Sequence, residues 1–268
     1  MATSEQYSGG YSPLIIDQFK QRTFSKQGAF LLPRLRQGMS VLDCGCGPGS
    51  ITLDIAELIN PGQVLALDSS PIQIEQAESL RQQRGIANVT FTIGTAYELP
   101  YPDEHFDVVF SHAVLYHLKD PGQALAEFRR VLKPKGLVAL RDACQCGDMM
   151  MPASPHLTAA WKTIEKVFSH QGGNMNFGSQ HKKLLLETGF TNIALSFSYD
   201  SFSSDAEKAS IKLYWQEFLS IDHRQMILEQ GWIQEEDLSA QCAALAEWCA
   251  QPASFFARAR CEAIAEKA

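Results

Sequence analysis

The sequence predicts an α/β protein: a mainly parallel sheet with helices on both faces and a helical lid. Two observations carry that prediction. Short β-branched runs alternate with helical patterns from about residue 40 to residue 141, the mark of βαβ units. The first of those runs ends in a glycine loop, VLDCGCGPGS, that opens a helix. At 268 residues, with 45% hydrophobic and 20% charged content, the chain is long enough to bury the core such a sheet needs.

The strands are read at Ser40–Cys44, Gln63–Asp68, Val89–Ile93, Phe106–Ser111 and Gly136–Arg141. Between them Ile51, Ile55 and Leu58 recur at helical spacing, as do Ala124, Phe128 and Val131; Ile72, Ile74 and Ala77 keep a looser period. Residues 12–36 read as two helical pieces ending at LLPRLRQG. A connection with one helix from about Leu157 to Ser169 follows the fifth strand, then a helix near Gln180–Thr188 and a strand near Thr191–Ser198. Residues 205–249 are mainly helical, broken at Gly231, and Ser254–Ala263 is the last strand. The chain thus reads as one domain over 1–268. Its sheet core covers about 37–145, 179–200 and 252–268, and its lid about 1–36, 146–178 and 203–250. The lid is expected over the carboxyl ends of the strands, where open α/β sheets bind ligands.

Charge narrows the partners. A net charge of -7 with no basic cluster argues against nucleic acid. The opening MATSEQYSGG has no apolar h-region, and no run approaches the roughly 18 apolar residues of a membrane span. Seven cysteines, an odd number, suit reduced thiols, so a cytoplasmic location is expected. The sequence gives no indication of oligomeric state.

The glycine loop could hold a dinucleotide, a nucleotide or a ligand without phosphate. Gly45, Gly47 and Gly49 make GxGxG rather than GxGxxG, and no GK[ST] follows. No Lys or Arg lies between Arg36 and Arg81, whereas Asp43, Asp54, Glu57, Asp68, Glu75 and Glu78 do. That counts against a polyphosphate, although backbone and helix dipole alone hold pyrophosphate at many dinucleotide sites. Asp43, ahead of the glycines, favours a cationic ligand. Asp68 ends the second strand 21 positions after Gly47, where a carboxylate can accept both ribose hydroxyl protons. Together they favour a nucleoside joined to an amino acid.

VLDCGCGPGSITLDIA, LALDSS, IGTAYELPYPDEHFDVVFSHAVLYHL and EFRRVLKPKGLVALRD resemble, in order, the motifs of class I S-adenosylmethionine-dependent methyltransferases. QRTFSKQGAFLLPRLRQGM, GGNMNFGSQHKKLLLETGF and PASFFARARCEAIAEK look like the UbiE-like small-molecule type. The resemblance implies a Rossmann-like seven-stranded sheet of order 3-2-1-4-5-7-6 with its last strand antiparallel. In it, Ser254–Ala263 would be the reversed hairpin partner of Thr191–Ser198. It further implies that Asp43, Cys44, Gly45 and Gly47 surround the methionine part and that Asp68 holds the ribose. Ser69 would flank the adenine, Thr95 and Ala96 would lie beside it, and Ser111 would lie by the methionine amine. Thr95 departs from the family, which often has Asp there.

Alkyl transfer needs alignment and, for some acceptors, a base. His112, Tyr116 and His117 in SHAVLYHL are the catalytic candidates, with His112 and Tyr116 sharing a face if the segment is helical. Structural service to the backbone is the competing reading for both histidines. Tyr7, Tyr11, Met149, Met150, Trp161, Phe177, His181, Tyr214 and Trp215 are lid candidates for an apolar acceptor pocket, against the competing reading that many are lid core. Arg22 is a candidate for the cofactor carboxylate. Cys44 with Cys46 and Cys144 with Cys146 form two CxC pairs, which lack the wider thiolate spacing of zinc sites, so no metal is expected. The expected function is methyl transfer from S-adenosylmethionine to an O, N or C nucleophile of a small molecule, yielding S-adenosylhomocysteine. The alternatives are an arsenite methyltransferase and a non-catalytic cofactor-binding subunit.

Overall fold

The computed structural model describes residues 20–268. One eight-stranded sheet organises them: β1 (Ser40–Cys44), β2 (Gln63–Asp68), β3 (Val89–Ile93), β4 (Phe106–His112), β5 (Leu132–Ala143), β6 (Met149–Met151), β7 (Phe190–Phe202) and β8 (Phe255–Lys267). The order runs β3-β2-β1-β4-β5-β8, with β7 pairing the far edge of β8. Only β8 runs against its neighbours β5 and β7 among the seven long strands, so the expected order and reversal are present. The three-residue β6 is the eighth strand. It continues the line of β5 along the start of β8 and was not legible in MMM alone.

The helices are α1 (Phe24–Gln27), α2 (Ser50–Ile59), α3 (Pro71–Arg84), α4 (Pro121–Val131), α5 (Pro155–His170), α6 (His181–Glu187), α7 (Asp205–Glu217), α8 (Arg224–Glu229) and α9 (Glu235–Ala250). Local chemistry starts several of them. Ser70, Asp120 and Ser154 each accept a backbone N–H from three residues on, at 3.4, 3.0 and 3.2 Å, and each is followed by proline at the first helical position. Ser204 and Glu207 close a capping box on α7.

Strand alternation divides the apolar residues between two faces. Val41, Val64, Ala66, Val108 and Phe110 pack with Phe24, Leu53, Ile55 and Ile59 on one side. Leu42, Val109, Val138 and Leu140 pack with α4 through Phe128 and Val131, and this core runs on into α5, α7 and α9 through Ile164, Trp215 and Trp248. Ile59, not Leu58, completes the buried stripe of α2; Leu58 is exposed. Before the first strand the described residues hold the end of a helix at Lys20, then α1 and a 3-10 turn, Leu32–Arg34; the start of the two expected helical pieces lies outside the described residues. β7 and β8 are not a hairpin: α7, α8 and α9 intervene. Because β7 parallels β5, the insertions after both strands leave at the carboxyl ends, and α5, α7 and α9 gather there. No helix among the described residues is long and apolar enough to cross a membrane.

Candidate active site

The glycine loop turns three times through left-handed backbone: φ is 83° at Gly45, 54° at Gly47 and 82° at Gly49. Two of these glycines are fixed by crowding. A Cβ on Gly45 would lie 2.1 Å from Val114 Cγ2, and one on Gly49 would lie 2.9 Å from Ala77 Cβ. Gly47 differs. A Cβ there would meet nothing within 4 Å among the described residues, so the loop is open at this turn.

Asp68 ties the loop to β2. One carboxylate oxygen accepts Gly47 N–H and the other accepts Ser70 N–H, both at 2.9 Å. Burial raises its pKa, while the N–H groups of Ser70, Gly47 and Ser69 pull the other way. Asp43 is buried at the end of β1 and accepts the Thr52 hydroxyl at 2.6 Å. Burial drives its pKa up to about 7, against the pull of Thr52 and with a further push from Asp68. Near neutrality Asp43 is therefore part-protonated. A cation bound beside it stabilises the carboxylate, so binding of a sulfonium or ammonium ligand should release a fraction of a proton near pH 7. Affinity for such a ligand should rise with pH up to about 7 and then level off. Calorimetry of S-adenosylmethionine binding in buffers of different ionisation enthalpy measures that release.

Two further polar atoms, on the elements that follow β2 and pair with β1, are buried with no hydrogen-bond partner among the described residues: Gln73 Oε1 in the first turn of α3 and Ser111 Oγ on β4. Gln73, 2% exposed, escaped the sequence reading. Its only signal was a polar side chain on the inward side of PIQIEQA. Ser69 is exposed directly after Asp68, Ala96 is buried, and Thr95 is exposed with its hydroxyl accepting Tyr97 N–H at 3.3 Å. Cys44 is wholly buried and its thiol is pushed up by burial and then by Asp43, which makes it part of the loop's support.

His112 ends β4 beside Arg141 of β5. Its Nδ1 lies 3.3 Å from the Arg141 carbonyl oxygen. That oxygen only accepts, so Nδ1 carries the proton and Nε2 presents a lone pair. Nε2 is buried without a partner among the described residues. Burial, then the charges of Arg141, Arg22 and Arg260, hold the imidazole well below the usual histidine range. His117 is likewise lowered, to about 3, by burial and by Arg22 and Arg260. The expected helical face shared by His112 and Tyr116 is absent. His112 is in a strand and Tyr116 in a 3-10 turn, Leu115–His117, where it stacks on His117 at 3.9 Å and Phe168 at 5.9 Å. The charge of Arg22 is among the causes that lower His112 and His117.

The lid candidates separate. Trp161, Tyr214 and Trp215 adjoin one another, with Trp161 and Trp215 edge to face at 5.2 Å. A cavity of about 210 Å³ opens beside Trp161, Met150, Asp148 and Gln145. Met149 is exposed on β6. His181 and Phe177 do not join this group. His181 Nε2 lies 3.0 Å from Asp142 Oδ2, both side chains are fully buried, and Phe177 packs edge-on against the imidazole. Asp142 alternates with Arg141 along β5, so this pair sits on the opposite face from His112. Tyr7 and Tyr11 lie outside the described residues. Cys144 and Cys146 have their sulfurs 3.5 Å apart, with the Cys144 thiol raised to about 11 by burial and by Cys146.

The glycine loop is thus poor in cations in sequence and held by an acid at the end of β2. A family model described as a methyltransferase domain matches residues 35–193. The chain belongs to that family. It is 36% identical over 143 residues to an uncharacterized methyltransferase of Schizosaccharomyces pombe, covering 51% of each chain. It is 28% identical over 182 residues to a demethylmenaquinone methyltransferase of Lactobacillus johnsonii, covering 61% of this chain and 72% of the other. The phosphoethanolamine N-methyltransferase 2 of Haemonchus contortus, solved with phosphomonomethylethanolamine and S-adenosylhomocysteine, superposes with a TM-score of 0.58. That match has 19% identity over 95% of this chain and 56% of the other, which shows a shared fold. The chain spans about half the length of the curated relatives it matches first. The family match supports S-adenosylmethionine as the cofactor. The residues present fit it: Gly47 is uncrowded, two acids stand at the ends of β1 and β2, and Ser111 and Gln73 keep unused polar atoms among the described residues.

Proposed function

We propose that this chain methylates the O, N or C nucleophile of a small molecule by direct in-line transfer from S-adenosylmethionine. The observation that carries the reading is Asp68, poised at the end of β2 and bound to Gly47 of a loop with no cation near it in sequence. Its carboxylate would accept the ribose hydroxyls, Gly47 would admit the methionine part without a Cβ in the way, and Asp43 would balance the positive charge. Ser111, already expected by the methionine amine, and Gln73, the added candidate, would make further polar contacts. Thr95, already hydrogen-bonded to Tyr97, is a weaker adenine contact than the Asp it replaces.

The cofactor would supply a methyl carbon already activated by its sulfonium, so the chain's task is alignment. His112 Nε2 offers a lone pair to the O–H or N–H of the acceptor and so aims the nucleophile. Its lowered basicity makes it a poor general base at neutral pH, because an efficient one titrates near the working pH. Positioning is therefore its role. As the acceptor atom forms its new bond to carbon, the carbon–sulfur bond breaks towards sulfur, and the acceptor's proton passes out to solvent. On this account His112→Ala lowers kcat by on the order of tenfold, the worth of one hydrogen bond, and leaves S-adenosylhomocysteine affinity unchanged. The wild-type pH–rate profile should show no break near 6.5 from this histidine. A thousandfold loss together with such a break would assign it general-base catalysis instead. The reading itself is tested by release of S-adenosylhomocysteine across a panel of phenols, amines and carboxylic acids, followed by mass spectrometry of the methylated product.

A further inference from the structure

Three arginines at the carboxyl ends of the strands carry more donors than the described residues satisfy. Arg258 and Arg260 stand two apart on β8 and share a face with Glu262; register places Asp200 and Ser198 of β7 and Arg141 of β5 on the same patch. The side chains of Arg141, Arg258 and Arg260 are 2%, 10% and 7% exposed. The carboxylates here are already engaged. Asp200 accepts Arg141 Nη2 on one oxygen and Arg260 Nε on the other, each at 2.7 Å. Glu262 accepts Arg141 Nε at 3.3 Å and the Ser196 hydroxyl at 2.7 Å. Asp148 accepts Ala259 N–H at 2.8 Å and Trp161 Nε1–H at 3.3 Å, and stands 3.6 Å from Arg258 Nε.

Four guanidinium nitrogens remain buried with no hydrogen-bond partner among the described residues: Nη1 of Arg141, Nη1 of Arg260, and Nε and Nη2 of Arg258. A guanidinium only donates, so the missing partner must offer acceptor atoms. The setting of Arg258 sharpens this. Its guanidinium carbon lies 4.9 Å from the Trp215 ring centre, 5.4 Å from Phe256 and 5.9 Å from Trp161. Aromatic rings engage the charge; at the N–H edge Asp148 stands 3.6 Å from Nε without a hydrogen bond, and Nε with Nη2 is a pair that can meet two oxygens of one oxyanion side by side. The patch adjoins His112: Arg141 is its register partner on β5 and its carbonyl oxygen lies 3.3 Å from His112 Nδ1.

We propose that Arg258 and Arg260, backed by Arg141, bind a carboxylate or phosphate group of the methyl acceptor; that the oxyanion belongs to the acceptor rests on the methyltransferase reading above. Its rival source is the cofactor's own carboxylate. Two strands separate β1 from β8, which puts the patch roughly 14 Å from the glycine loop and favours the acceptor.

The test uses the full chain saturated with S-adenosylhomocysteine, titrated with benzoate, its neutral isostere benzamide, and inorganic phosphate, read by tryptophan fluorescence and calorimetry. Saturable binding of benzoate or phosphate is expected, at least about tenfold tighter than benzamide. Arg258→Met should weaken the anion by about tenfold or more while S-adenosylhomocysteine affinity stays within about twofold. Should Arg258→Met not fold, Arg258→Lys serves: it keeps the charge, loses the two-toothed edge, and is expected to lose most of the preference over benzamide. The wild-type arm stands without either variant. If neither anion binds, or benzamide binds as well, the proposal is overturned. If the variants weaken S-adenosylhomocysteine and the anion in parallel, the arginines hold the cofactor and the acceptor assignment is overturned. Failure of the wild-type chain to bind S-adenosylhomocysteine at all is a separate result, and it strikes the methyltransferase reading.

Discussion

Asp68→Ala is expected to weaken S-adenosylhomocysteine binding by about 100-fold. The magnitude follows from two hydrogen bonds to a charged acceptor, each worth about 1.5–3 kcal/mol, of which roughly 3 kcal/mol survives solvent competition and loop adjustment. The loss has two sources. The ribose hydroxyls would lose their acceptor, and Gly47 N–H and Ser70 N–H would lose the carboxylate that fixes the loop against β2. Asp68→Asn separates them. The amide retains one acceptor oxygen but carries no charge, so it should recover part of the affinity and most of the loop's order. Calorimetric titration of both variants measures the split, and His112→Ala, which leaves the loop alone, is the control. Equal losses from Asp68→Ala and His112→Ala would break the separation of roles.

Asp200→Asn is the second large effect, on stability. Asp200 is the carboxylate between Arg141 and Arg260, and its removal leaves two buried guanidinium groups facing a neutral amide. Breaking a buried ion pair from one side costs about 3–5 kcal/mol, and the partial exposure of Asp200 argues for the lower end, about 3 kcal/mol. Burial alone would raise the pKa of Asp200, but the charges of Arg260 and Arg141 and the Arg141 hydrogen bond prevail and hold it well below the ordinary carboxylate range. A carboxylate depressed in the folded state contributes stability that is complete above its unfolded value, 3.8, and is lost as pH falls through the folded one. Wild-type stability should therefore decline below about pH 3.8, and the Asn variant should start lower and decline less steeply there. Urea unfolding at pH 7 and at pH 3 measures both slopes.

What the sequence revealed and what it hid follow from range. β1, β2 and β3 are legible to the residue, because each is a short apolar run stopped by a turn whose glycine, proline or acid is local. Asp43, Asp68 and the glycines are legible for the same reason: their positions relative to a strand end are set within a few residues. His181 misleads because only the fold brings Asp142, 39 positions away, to its ring. The arginine patch was invisible for a related reason. In FFARARCEAIAEK the alternation of Arg258, Arg260 and Glu262 with small residues reads as a wet face and a dry one, and only the assembled sheet shows that face covered. Tyr116 was placed by a helical spacing that the chain does not adopt, since β4 runs through His112 before it turns.

The central claim is that the loop between β1 and α2, with Asp68 across from it, is built for a cationic nucleoside without phosphates. Titrating the purified chain with S-adenosylhomocysteine, NAD and ATP under one set of conditions tests it most directly, by heat of binding and by shift in melting temperature. One site for S-adenosylhomocysteine, removed by Asp68→Ala, with no response to NAD or ATP, is the predicted result. Binding of NAD or ATP at that site, or a chain indifferent to S-adenosylhomocysteine, would contradict it.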